Sequence, residues 1–98
     1  MSHGPYHYCV LQGVSYLDGT YPEWWRRIDI RLVDMTSGTK HVLSLATGLH
    51  FYETAEAMFE PREWLVAHGF MYAPALAPAI VLTAEWHKQI ARIRDERK

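Results

Sequence analysis

Cysteine is nearly absent: Cys9 is the only one among 98 residues. No disulfide can close within the chain, and a reducing compartment, the cytoplasm of the host or source cell, is the expectation. No run of about 18 apolar residues occurs, so no segment has the length of a membrane-spanning helix. Met1 to Pro5 carry neither a basic head nor an apolar stretch; these five residues read as a disordered start rather than a secretory leader. Glycine is sparse. Gly48 and Gly69 stand alone, which leaves a phosphate loop or a dinucleotide fold without support. Net charge is also small, −1, so no global field draws the chain to nucleic acid or to a membrane. Its distribution is uneven: residues 84–98 are the basic end, and their basic and acidic side chains intermingle as on a solvated helix face.

What is present is aromatic. Aromatics make up 13% of the chain, with four Trp and six Tyr. A chain of this length makes one domain, residues 1–98, and aromatic side chains are the densest material from which a small domain builds a core. They are also enriched at interfaces.

The organising stretch is residues 24–35. Apolar and polar residues alternate with period two, so Trp24, Ile28, Ile30 and Leu32 would share one face, with Arg27, Asp29 and Arg31 on the other. That pattern predicts a central strand. Residues 6–17 predict a first strand, with Tyr8, Val10, Val14 and Tyr16 on one face and Cys9, Leu11 and Leu17 on the other; Gly13 would mark a bulge. Asp18-Gly19 is a turn signal, and Pro22 extends the loop. A second turn at 36–39 leads to a third strand at 40–46.

Thr54 reads as the N-cap of a helix. Pro61 either kinks that helix or opens a second one. Gly69 suits a helix C′ position, with Phe70 reaching back to Leu65. Residues 70–72 suit a short strand, and the two prolines of 73–78 favour extended backbone. Residues 80–82 fit a buried strand or a first helical turn. Thr83 reads as an N-cap, and Trp86, Ile90 and Ile93 form a helical stripe whose end, 94–98, frays. The sum is an α+β domain: a three- to four-stranded antiparallel meander covered on one face by one or two helices, a two-layer sandwich.

Few constellations carry chemistry. His7 and Cys9 would share a strand face, with His3 nearby, but a structural metal site wants a second ligand pair and none exists. Pairing Cys9 with a histidine lacks an electropositive setting. Asp29, Asp34, Glu53 or Glu56 pair with His41 or His50 no better than chance would have them. No catalytic residue, metal ligand or cofactor is therefore assigned. The most unusual tetrapeptide is Trp24-Trp25-Arg26-Arg27. On a strand its two indoles point to opposite faces, so one anchors the core while the other either packs on the stems of Arg27 and Arg31 or meets a partner. The candidate partner-contact residues are Tyr21, Trp24, Trp25, Arg27 and Arg31. The expected function is a non-catalytic module that binds another protein or a second copy of itself, an inhibitor or adaptor of the kind viruses and mobile elements encode. The alternatives are nucleic-acid binding by the arginine-bearing sheet face with the C-terminal helix, and a small-molecule pocket lined by aromatics.

Overall fold

Val10, Gly13, Val14 and Leu17 are buried together, which is the i, i+3, i+4, i+7 spacing of a helix and not the alternation of a strand. In the computed structural model, which describes residues 4–37, 40–47 and 61–97, every regular element among those residues is helical. α1 spans His7–Thr20, α2 Trp24–Arg27, α3 Val42–Thr47, α4 Arg62–Ala67 and α5 Ala79–Glu96, with a 3₁₀ turn at Ile30–Leu32 between α2 and α3. The expected α+β sandwich is thus overturned: the segments read as strands at 6–17, 24–35 and 40–46 are α1, α2 with the 3₁₀ turn, and α3. Gly13 is no bulge but the middle of α1, Asp18-Gly19 belong to its last turn, and residues 70–72 form no strand. The helix expected from Thr54 falls outside the described residues, as do Gly38 and Thr39 of the second turn.

α5 is the spine. Leu82, Trp86, Ile90 and Ile93 form its fully buried stripe, and α1, α2 and the 3₁₀ turn all pack on it. Residues 80–82 are its first turn. Thr83 lies inside the helix rather than at its cap, its Oγ1 accepting from the Met35 N–H at 3.0 Å. Trp24 meets Trp86 edge to face, with centroids 6.1 Å apart, while Phe70 stacks on the same ring at 5.8 Å. Both indole N–H groups are satisfied, as buried Trp requires: Trp86 donates to the Gly69 carbonyl at 2.6 Å and Trp24 to an Asp18 oxygen at 2.9 Å.

Two glycines permit this packing. A Cβ on Gly13 would run into the His68 carbonyl and lie 2.9 Å from the Trp86 ring, so only glycine lets α1 seat this deeply. Gly69 has φ +71° and ends α4. Its N–H donates to the Val66 carbonyl at 3.1 Å and that of Phe70 to Leu65 at 2.8 Å, the paired bonds of a Schellman stop. Pro61 stands immediately before α4 as its N-cap residue.

Residues 73–78 turn rather than extend: the Leu76 N–H donates to the Ala73 carbonyl at 2.8 Å. The turn is clasped by the buried Tyr6 hydroxyl, which accepts from the Ala73 N–H at 3.0 Å and donates toward the Ala77 carbonyl at 2.5 Å. At the far end of α5, Arg94 donates to the carbonyls of Trp25 and Ile28, meeting acceptors that the end of α2 leaves open. Arg97 grips both Asp18 oxygens at 2.8 and 3.0 Å. The turn expected to fray is therefore polar-anchored at two points.

Candidate functional site

Consecutive residues on a helix are roughly 100° apart, not opposed, so α2 turns both of its indoles inward. Trp24 is fully buried and Trp25 is 8% exposed, with the Arg26 guanidinium carbon 4.8 Å from the centroid of the Trp25 ring. Tyr21 is half-buried against the core. Of the five residues expected to meet a partner, only Arg27 and Arg31 are open to solvent. The expected surface of a planar ring beside two guanidinium groups does not form, and a base has no exposed Trp25 face on which to stack.

A different surface takes its place. The 3₁₀ turn and the loop after it face the first turn of α5 across an open cleft of about 510 Å³. Arg31, Leu32, Val33, Asp34, Thr36 and Lys40 form one side, with Ile80 and Thr83 opposite. The local chemistry explains the shape. Asp29 accepts from the Arg31 N–H at 3.0 Å, a side-chain-to-backbone bond that turns the chain where a strand would run on. Asp34 does the same for Thr36, accepting from its N–H at 2.9 Å and its hydroxyl at 2.6 Å. Two Asx turns in succession thus replace the expected extended backbone and carry Leu32 outward.

Leu32 is 42% exposed and Ile80 75%. Sequence reading placed Leu32 in the core and left Ile80 undecided. The signal for Ile80 was available: it lies two residues before Leu82, roughly 200° around a helix. If Leu82 belongs to the buried stripe, Ile80 faces away from it.

The charges around the cleft are fixed by their neighbours. Asp29 is held below the usual carboxylate range by the hydrogen bonds from the Arg31 side chain and N–H. Asp34 is lowered mainly by the Thr36 hydroxyl and N–H, with Lys40 adding a weaker field. The Arg31–Asp29 pair is bidentate, with Nε and Nη2 as donors at 3.0 and 2.9 Å.

Among the described residues, Cys9, His41 and His7 sit in settings that the structure defines. Burial pushes the Cys9 thiol up, away from the thiolate a nucleophile needs. His41 is 2% exposed; its Nδ1 accepts from the Leu43 N–H at 3.1 Å and its Nε2 faces the Phe70 carbonyl at 2.5 Å. The imidazole is therefore neutral, with its proton on Nε2, and it caps the start of α3. His7 lies 3.4 Å from Glu85, which also accepts from Gln89 at 2.7 Å. Among the described residues no three His, Cys, Asp or Glu side chains gather as a metal site would require, and no helix is long and apolar enough to cross a membrane. No protein-family model, curated protein or solved structure matches the chain.

Proposed function

We propose that the chain is a non-catalytic binding module that docks another protein in the cleft between the 3₁₀ turn and α5. One observation carries this reading: Leu32 and Ile80, two large aliphatic side chains, stand exposed across a single concavity. Exposed aliphatics scattered singly need no explanation, but a pair sharing a concave, polar-rimmed surface is what an interface offers. The inward turn of both indoles supports the same reading, since it commits Trp24 and Trp25 to the core rather than to a contact surface.

The test uses the intact chain as bait in an extract of its source cell, beside two variants. Ile80→Asp places a carboxylate in the first turn of α5, where the helix macrodipole favours it, so the fold should keep its melting temperature. Tyr8→Asp changes another exposed side chain, 67% exposed on α1. A protein retained by the wild type and by Tyr8→Asp but lost with Ile80→Asp is the expected result. An identical set retained by all three baits refutes the assignment of the cleft.

A further inference from the structure

The cleft has a chemical bias beyond its apolar pair. Its hydrogen-bonding groups divide unevenly between those already used and those still open. Asp34, the carboxylate in it, takes both the hydroxyl and the N–H of Thr36 on Oδ1, which leaves Oδ2 as its open acceptor. The donors are less engaged. The Lys40 ammonium makes no ion pair among the described residues, and its influence on Asp34 is only a field at a distance. Thr83 Oγ1 accepts from the Met35 N–H, which leaves its own O–H free to donate. Arg31 spends Nε and Nη2 on Asp29, which leaves Nη1. Three donors with open valence, against one open carboxylate oxygen, thus line the same cleft as two exposed aliphatic side chains. Unpaired donors beside apolar surface select a ligand with an acceptor, and a charged acceptor makes the stronger bond. Desolvating Lys40 against a neutral partner would cost affinity, whereas a carboxylate would compensate it.

We infer that the partner presents a peptide segment with an apolar side chain flanked by an aspartate or glutamate. The apolar group seats between Leu32 and Ile80, and the carboxylate takes Lys40 with help from the Thr83 hydroxyl. This rests on the docking role proposed above and narrows it to one class of partner.

The experiment is selection of a phage-displayed random dodecapeptide library on the immobilised full chain, on Lys40→Glu and on Ile80→Ser. Serine removes the aliphatic anchor without adding charge. Wild type should enrich peptides pairing an apolar residue with Asp or Glu. These should bind Lys40→Glu roughly five- to tenfold more weakly, as loss and reversal of a rim ion pair imply, and selection on Lys40→Glu should turn toward Lys or Arg in the same place. Ile80→Ser should cost them roughly tenfold. Peptides that need Ile80 but ignore the sign at position 40 overturn this inference and leave the cleft as a docking site. Peptides indifferent to both changes, or no enrichment at all, overturn both. A wild-type chain that sediments as a dimer, split by Ile80→Ser, makes the occupant a second copy and overturns the acidic-peptide inference as well.

Discussion

Lowering the pH from 7 toward 4 should unfold the chain more readily through one residue, His41. Burial holds its imidazole at about 4, against 6.5 for the unperturbed group, even though the bond to the Phe70 carbonyl favours the charged form. The folded protein therefore stays unprotonated at position 41 through a range in which the unfolded chain takes up a proton. Stability is full above pH 6.5, falls as the pH drops below it, and stops falling below about 4, where both states are charged. Each pH unit of that gap is worth about 1.4 kcal/mol, so the total loss is roughly 3 kcal/mol. For a domain whose whole stability is on the order of 5–10 kcal/mol, that is a large share. The structural cause is specific: a proton on Nδ1 would confront the Leu43 N–H it now accepts from, removing the α3 cap and charging a closed interior. Asp18, Asp29 and Asp34 are also shifted, but downward from 3.8, so their contribution is lost only below about pH 4 and does not overlap. Urea unfolding followed by tryptophan fluorescence at several pH values between 7 and 4 measures the slope. His41→Gln removes the titrating group; it should lower stability at pH 7 by about 2 kcal/mol for the lost cap and burial and flatten the pH dependence above 4. A wild-type stability that stays level between pH 6.5 and 4.5, or a slope that persists in His41→Gln, refutes the reasoning.

Gly13→Ala should destabilise by roughly 2–4 kcal/mol in chemical denaturation, because the clash with the His68 carbonyl and the Trp86 ring outweighs the ~1 kcal/mol that alanine gains in helix propensity. Gly69→Ala should cost on the order of 1–3 kcal/mol, from φ +71° and from a Cβ 3.0 Å from the Val10 backbone. Trp86→Phe keeps most of the ring but orphans the Gly69 carbonyl, and should lower stability by about 1–3 kcal/mol in the same assay. Arg97→Ala, by contrast, removes a bidentate pair that is more than a third exposed at both ends, so its thermal-melt penalty should stay within about 1 kcal/mol.

The C-terminal part of the chain was legible. Trp86, Ile90 and Ile93 read as a stripe and are buried, and Gly69 with Phe70 read as a helix stop and forms one. The N-terminal half misled because two periodicities overlap in α1. Val10 and Val14 satisfy both a period of two and a period of four, and Gly13, which a strand treats as a fault, is the residue that lets a helix pack closest. In residues 24–35 the alternation was real in composition but was overridden locally: Asp29 and Asp34 each bond the backbone two residues on, which ends any strand before it starts. The indole pair shows the consequence for function. Their burial depends on whether successive side chains diverge by roughly 100° or 180°, so one wrong period moved Trp25 to the surface and put Leu32 in the core.

The clasp that Tyr6 places on residues 73 and 77 has a temporal side. Its hydroxyl pairs with backbone 67 and 71 positions later. At roughly 5–20 residues per second, the ribosome delivers those partners several seconds after the phenol emerges. Until then neither the launch of α5 nor the seat of Ile80 is set. Tyr6→Phe should loosen the proposed docking cleft and slow its assembly, and a refolding trace read at a probe beside residue 80 would lag one read within α1.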